Sequence, residues 1–230
     1  MTSVELYTHV SSCPLQCADV IRDQHTNIPR GYYSNAQPGE SEVIMLVAQN
    51  PGQPMKIEAQ AYAGLSADQQ ARAHLAFVRR CAVGNEGKVF HTRLRKWMAE
   101  LLSVPEEQVY DHVILTNAVK CTTPGNRCPS RLTETTCISR HLTNEIAAWQ
   151  PRIVIALGLG AKRMLDRSGL VRECNYLPHP SHREGKSYHH SFLEAIKRQL
   201  TTRCSGPVHR VPHFARHCAG SGAVARPAER

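Results

Sequence analysis

No apolar run in this chain of 230 residues approaches the roughly 20 residues that a membrane-spanning helix requires, so the sequence offers no such span. Its opening, MTSVELYTHV, lacks the basic stretch and apolar core of a secretory signal. The expected location is therefore the cytoplasm, with nucleoid association if the source is prokaryotic. Negative charge is in short supply: 19 Asp and Glu face 28 Lys and Arg, for a net charge of +9. That balance points to an anionic partner, nucleic acid first, although Arg203, Arg210, Arg216, Arg226 and Arg230 all fall in the last thirty residues. No internal repeat is present, which excludes stacked-repeat architectures. Cysteine, by contrast, is plentiful at nine residues. In a reducing compartment that number argues for metal binding or catalysis over a disulfide framework.

Residues 1–40 are rich in turn formers and read as irregular, with Cys13 and Cys17 among them. Val43-Ile44-Met45-Leu46-Val47 is the continuous apolar run of a strand buried on both faces. Helices are expected over 66–82 and 89–102, the second with Leu94, Trp97, Met98, Leu101 and Leu102 at helical spacing. A second strand runs from His112 to Val119. A loop, Lys120 to Ser130, follows with Pro124, Gly125 and Pro129, then a helix from about Leu132 to Trp149. Arg152 to Leu157 is the third strand, closed by Gly158, with a short helix from about Ala161. Asn175-Tyr176-Leu177 is a short fourth strand, and a last helix spans about Tyr188 to Leu200. The alternation of β and α predicts an α/β fold, a three-layer α/β/α arrangement around a central four-stranded, mostly parallel sheet. This domain is expected over 1–203, as a monomer, with 204–230 a basic, disordered tail.

Three polar motifs follow or end the strands: Gln49-Asn50-Pro51-Gly52, Thr116-Asn117-Ala118-Val119 and His179-Pro180-Ser181. Ligands of open α/β sheets bind outside the carboxyl ends of the strands, so these residues should converge on one small molecule. The side-chain amides of Asn50 and Asn117 each offer a donor and an acceptor side by side, and His179 can donate or accept. Plainer readings stand beside these: a strand terminator for Asn-Pro-Gly, a turn cap for Asn117, a surface histidine before a proline turn for His179.

Residues 13 to about 200 resemble the uracil-DNA glycosylase superfamily, most closely its iron–sulfur branch, families 4 and 5. The run Thr116-Asn117-Ala118-Val119-Lys120-Cys121-Thr122-Thr123-Pro124-Gly125-Asn126-Arg127 is similar to the TNVVKCRPPGNR segment of family 4. IVIALGLGA at 153–161 resembles its next strand and turn, and His179-Pro180-Ser181 its HPS motif. The first motif departs: family 4 has GEAPG, whereas Ala48-Gln49-Asn50-Pro51-Gly52 carries Asn in the middle, as mismatch-specific and single-strand-selective relatives do. The resemblance implies a DNA repair glycosylase that hydrolyses the N-glycosidic bond of uracil, and of related deaminated bases, in single- or double-stranded DNA. It also implies a 4Fe–4S cluster on Cys13, Cys17, Cys121 and Cys137. Four thiolates suit zinc equally, which stays as an alternative. The first pair is spaced C-x3-C where many relatives have C-x2-C. Cys128 lies inside the same loop as a decoy, and Cys81, Cys174, Cys204 and Cys218 read as core or tail thiols.

The same resemblance implies the site roles. Asn117 would read the uracil edge, His179 would donate to uracil O2, Asn50 would orient the attacking water, and Gln49 would contribute through its backbone. Tyr62 stands where the family has a stacking Phe, with Phe90 as the alternative. Ser181, with Arg183 and Lys186, would approach the DNA backbone, and Lys120, Arg127 and Arg131 could meet phosphates. His182, His189 and His190 read as phosphate contacts or solvated residues. A different class of function also fits: a non-catalytic iron–sulfur or zinc protein that binds damaged or single-stranded DNA.

Overall fold

The computed structural model describes residues 2–23, 27–39, 43–83, 89–181 and 188–203. Helix α1 (Ser3–Ser11) opens the fold. The Thr2 hydroxyl accepts the Glu5 N–H at 3.2 Å while the Glu5 carboxylate accepts the Thr2 N–H at 2.7 Å, a reciprocal cap that satisfies two amides left over at the helix start. Strand β1 (Ile44–Ala48) comes next, then α2 (Lys56–Tyr62), α3 (Ala67–Val83), α4 (Val89–Leu102) and the single turn α5 (Val109–His112). Strand β2 (Val113–Asn117) leads through the cysteine-bearing loop to α6 (Arg131–Cys137). A π-helical turn, Ile138–Leu142, connects α6 to α7 (Thr143–Trp149). Strand β3 (Ile153–Leu157), α8 (Leu159–Ser168), β4 (Cys174–Leu177) and α9 (Tyr188–Arg203) complete it.

All four strands are parallel, in the order β2-β1-β3-β4. The chain therefore leaves β1 to one side for β2 and returns past it for β3. This reversal opens a crevice beyond the carboxyl ends of β1 and β3. Every residue of β1 and β3 is buried, and side chains alternate between faces. Met45 and Val47 join Ile114, Val154, Trp149, Met164 and Leu165 on one face, under α7 and α8. Ile44, Leu46 and Ala48 join Ile155, Leu157, Leu94, Met98, Leu193 and Ile196 on the other, under α4 and α9. Two cores on opposite faces of one sheet make three layers.

Two expectations are corrected. Residues 1–40 are not wholly irregular: α1 occupies 3–11, and Thr2 with Glu5 was its legible signal. The helix expected from Leu132 to Trp149 is interrupted by the π turn, a poorer hydrogen-bonding geometry that recurs at functional sites. Helix α2 was also unforeseen. Among the described residues no helix is long and apolar enough to cross a membrane. Arg183, Lys186, His182 and the tail 204–230 lie outside the described residues.

Candidate active site

Strand β1 delivers Gln49 and Asn50 to the mouth of the crevice, and the loop after them is held from several sides. The Gly52 carbonyl accepts from Arg30 Nη1 at 2.9 Å and from Thr122 Oγ1 at 3.2 Å. Asn50 Nδ2 donates to Thr123 Oγ1 (3.1 Å) and to the Pro51 carbonyl (3.3 Å), and Asn50 Oδ1 accepts from Gln49 Nε2 (2.8 Å). The Gln49 carbonyl accepts the Val119 N–H at 2.9 Å, which ties this loop to the end of β2.

Asn117 closes β2 beside Ala48. It is half-buried, and its side-chain amide makes no hydrogen bond to another described residue. Its backbone is anchored by Lys120, whose Nζ donates to the Asn117 carbonyl (2.7 Å), to Thr116 Oγ1 (2.8 Å) and to Glu145 Oε2 on α7 (2.6 Å). A buried ammonium is tolerated when it has such acceptors and a carboxylate partner.

His179 stands just past β4. The Ser181 N–H donates to its Nδ1 at 3.3 Å, so the ring proton sits on Nε2. Arg93 Nη1 holds the Pro180 carbonyl at 3.0 Å, and the Phe90 ring lies 5.1 Å from that of His179. Helix α4 thus forms one wall. Two glycines after β3 give the room. Gly158 has φ +88°, and a Cβ there would sit 3.2 Å from His179 Cβ. A Cβ on Gly160 would sit 1.8 Å from Gln49 Oε1. His179 and Gln49 therefore meet across the Gly158-Leu159-Gly160 turn, over the β1/β3 crevice.

Below this site Cys13, Cys17, Cys121 and Cys137 line one small cavity. Burial, and then the neighbouring Cys137 sulfur, push Cys121 up to about 12, and burial pushes Cys137 up to about 11. Anionic sulfur in such a place needs a cation among the thiolates. The Lys120 N–H already points at Cys137 Sγ, 3.2 Å away. His141, 2% exposed, borders the same cavity with neither ring nitrogen hydrogen-bonded, an orphaning that calls for a missing neighbour. A thiolate-bound metal centre fits this donor set. Among the described residues the only three His, Cys, Asp or Glu ligand atoms within 4.8 Å of one another belong to Glu100, His189 and His190, so no three of these sulfurs are that close. A tetrahedral zinc would gather its sulfurs to about 3.8 Å from one another.

The model of the uracil DNA glycosylase superfamily matches residues 37–202. The chain belongs to that superfamily. Among curated relatives, the type-4 uracil-DNA glycosylase of Pyrobaculum aerophilum is 31% identical over 142 residues, which cover 60% of this chain and 57% of that one. Those of Saccharolobus solfataricus and Sulfurisphaera tokodaii are 31% and 30% identical over 130 residues each, covering 55% of this chain and 47% and 46% of theirs. The chain spans about half the length of the curated relatives it matches.

Within this member of the uracil DNA glycosylase superfamily, the structure brings Gln49, Asn50, Asn117, His179 and Ser181 to neighbouring strand ends. It does not bring Tyr62 there. Tyr62 is fully buried, its hydroxyl donating to Glu58 Oε1 (3.1 Å) and meeting His74 Nδ1 (2.7 Å), while Glu58 pairs with Arg30 at 3.0 Å. Burial raises its pKa far beyond the ordinary range, as for a phenol in a packed interior. The stacking role expected of it is corrected on that ground, and Phe90 is the aromatic ring beside His179. Lys120 is corrected as well, since Glu145 captures the side chain expected to reach phosphate. His189 stacks on Trp97 (4.8 Å) and His190 Nδ1 lies 3.0 Å from Glu100, so both turn to α4. Sequence reasoning missed Thr123, Arg30 and the spacing role of Gly158 and Gly160. Only the glycine pair, at the end of an apolar run, carried a readable signal.

Proposed function

We propose that this chain is a DNA repair glycosylase that hydrolyses the N-glycosidic bond of uracil in DNA and leaves an abasic site. The observation that carries the reading is that Asn50 follows β1, Asn117 ends β2 beside it, and His179 and Gln49 come against the Gly158-Leu159-Gly160 segment after β3, all at the carboxyl edge of one parallel sheet. A base extruded from the stack to this edge of the sheet would offer its Watson–Crick edge to the Asn117 amide, which bonds to no side chain among the described residues. Uracil O4 and N3–H match an amide's donor and acceptor, and cytosine presents the reverse. His179 carries its proton on Nε2 and would donate it to O2 as charge develops there. Asn50 would hold the water by hydrogen bonding, positioning it without removing a proton. Phe90 supplies the aromatic wall, and Ser181, Arg127 and Arg131, all exposed, would meet the DNA backbone, setting position and salt dependence.

Cys13, Cys17, Cys121 and Cys137 would hold a 4Fe–4S cluster. The resemblance of these four positions to the cysteines of the iron–sulfur branch supports the cluster over zinc, which the same four thiolates could also hold. Such a centre supplies a covalent tie between the N-terminal segment and the loop before α6. A monomer in the cytoplasm completes the reading.

The test uses end-labelled oligonucleotides with one uracil, single-stranded or opposite G or A, followed by alkaline cleavage of abasic sites. Cleavage at uracil is expected, reduced about 10²-fold or more in single turnover by His179→Ala, on the scale of losing one oxyanion donor. Asn117→Asp should relax discrimination against cytosine; unchanged selectivity removes Asn117 from the pocket. Tight binding without cleavage on every substrate would sink the enzyme reading in favour of a damage-binding protein.

A further inference from the structure

We propose that Thr123 is a positioning residue that fixes which way round the Asn50 amide faces, and so the sense in which the attacking water is held. This rests on the reading of Asn50 as the water-holding residue. Thr123 is 1% exposed, two residues past Cys121. Its hydroxyl has two neighbours: the Arg127 carbonyl at 2.6 Å and Asn50 Nδ2 at 3.1 Å. A hydroxyl has one hydrogen to give, and a carbonyl can only accept. That hydrogen therefore goes to Arg127, and the oxygen has only lone pairs for Asn50. The amide must turn its NH2 group to Thr123 and its Oδ1 away. Gln49 agrees with this, because its Nε2 lies 2.8 Å from Oδ1.

The sense of the amide decides the chemistry. Oδ1 has a second lone pair and can accept a hydrogen from water, which leaves the water's own lone pairs for the sugar carbon. An NH2 group in that place would donate to the water, tie up one of its two lone pairs and make it a poorer nucleophile. Thr122 adds a second clip, its Oγ1 donating to the Gly52 carbonyl. Two successive threonines thus join the cysteine loop to the water loop.

Thr123→Val removes the hydroxyl and keeps the shape, and Thr123→Ser keeps the hydroxyl. With enzyme in excess over a uracil oligonucleotide, T123V should lower the single-turnover rate about tenfold, the scale of one neutral hydrogen bond. Oligonucleotide Kd should hold, the thermal midpoint should fall by only a few degrees in T123V, and T123S should stay near the wild-type rate. In an Asn50→Ala background T123V should add nothing, since the two residues act as one unit. A wild-type rate for T123V, or an equal loss with and without Asn50, overturns the proposal. A rate that Asn50→Ala leaves untouched defeats the water-site reading instead. The side-chain amide protons of Asn50 in isotope-labelled protein still decide the orientation in that case: a shift on T123V upholds the hydrogen bond, and unmoved signals overturn it.

Discussion

At the residue scale the site depends on what two glycines leave out. The atom that a methyl on Gly160 would strike is the far end of the Gln49 side chain, which can swing aside at little cost in stability. It would then withdraw Nε2 from Asn50 Oδ1, where it now lies at 2.8 Å. Gly160→Ala is therefore expected to melt close to wild type while its uracil excision slows; equal excision rates would show that Gln49 plays no part. Gly158→Ala should behave differently. Its φ of +88° disfavours any side chain, and the new methyl would press on His179 Cβ at 3.2 Å, which is not a flexible tip. With ψ at 159° this is a backbone region open essentially to glycine alone, so a loss of about 1–3 kcal/mol in stability is expected, measured by urea unfolding, together with slower excision.

At the scale of elements, the end of β2 is held by a charge pair in the interior. Glu145 on α7 takes both the Lys120 ammonium and the Thr116 hydroxyl (2.7 Å), so one carboxylate fixes the strand that presents Asn117. Glu145→Gln leaves the ammonium buried without a counter-charge, which costs about 3–5 kcal/mol in comparable sites. The thermal midpoint should drop accordingly, and Lys120→Met in the same background should recover part of it; no recovery would mean that the ion pair is not what the mutation breaks. This pair also marks the limit of what the sequence discloses. The strands were legible because β1 and β3, covered on both faces, must be apolar throughout. The polar motifs at their ends were legible because a parallel sheet gathers its carboxyl ends at one edge. Lys120 was misread because a lysine beside a loop looks the same in sequence whether it faces phosphate or a glutamate 25 residues on. Tyr62 was misread for a similar reason: Glu58 lies one helical turn away, but His74 and Arg30 come from other segments. Pairings of that kind are made by tertiary packing and leave no local pattern.

For the molecule as a whole, Leu6, Tyr32 and Ala36 seat the N-terminal segment in the core, while its stretch from Asp19 to Arg30 is tied to the cysteine loop by polar contacts. The Ile21 N–H donates to the Thr122 carbonyl and the Arg30 N–H to that of Lys120, both at 2.8 Å, while the Asp19 carboxylate takes the Ser130 N–H and the Thr133 hydroxyl. A metal centre on Cys13, Cys17, Cys121 and Cys137 would close the same junction, so its removal should lower the melting point and open residues 12–23 to protease before the sheet. Beyond Arg30 lies the cluster of His74, Tyr62, Glu58 and Tyr7, and it gives the fold an acid limit. Burial, and then the charge of Arg30, hold the His74 pKa well below its usual value, so the folded protein keeps this imidazole neutral. The Tyr62 hydroxyl gives its hydrogen to Glu58, which leaves His74 Nδ1 to donate to Tyr62 and a ring with nowhere to place a second proton's charge. In the unfolded chain the same side chain protonates near pH 6.5. Below that pH the unfolded state binds the extra proton and the folded state does not, so stability falls as pH falls. The slope from this one residue approaches about 1.4 kcal/mol per pH unit. Urea unfolding between pH 7.5 and 5 should show it, and His74→Gln, which can still donate to Tyr62, should flatten the decline by that amount. An identical decline in the variant would assign the acid sensitivity to other groups and leave His74 a packed imidazole stacked 4.6 Å from Tyr7.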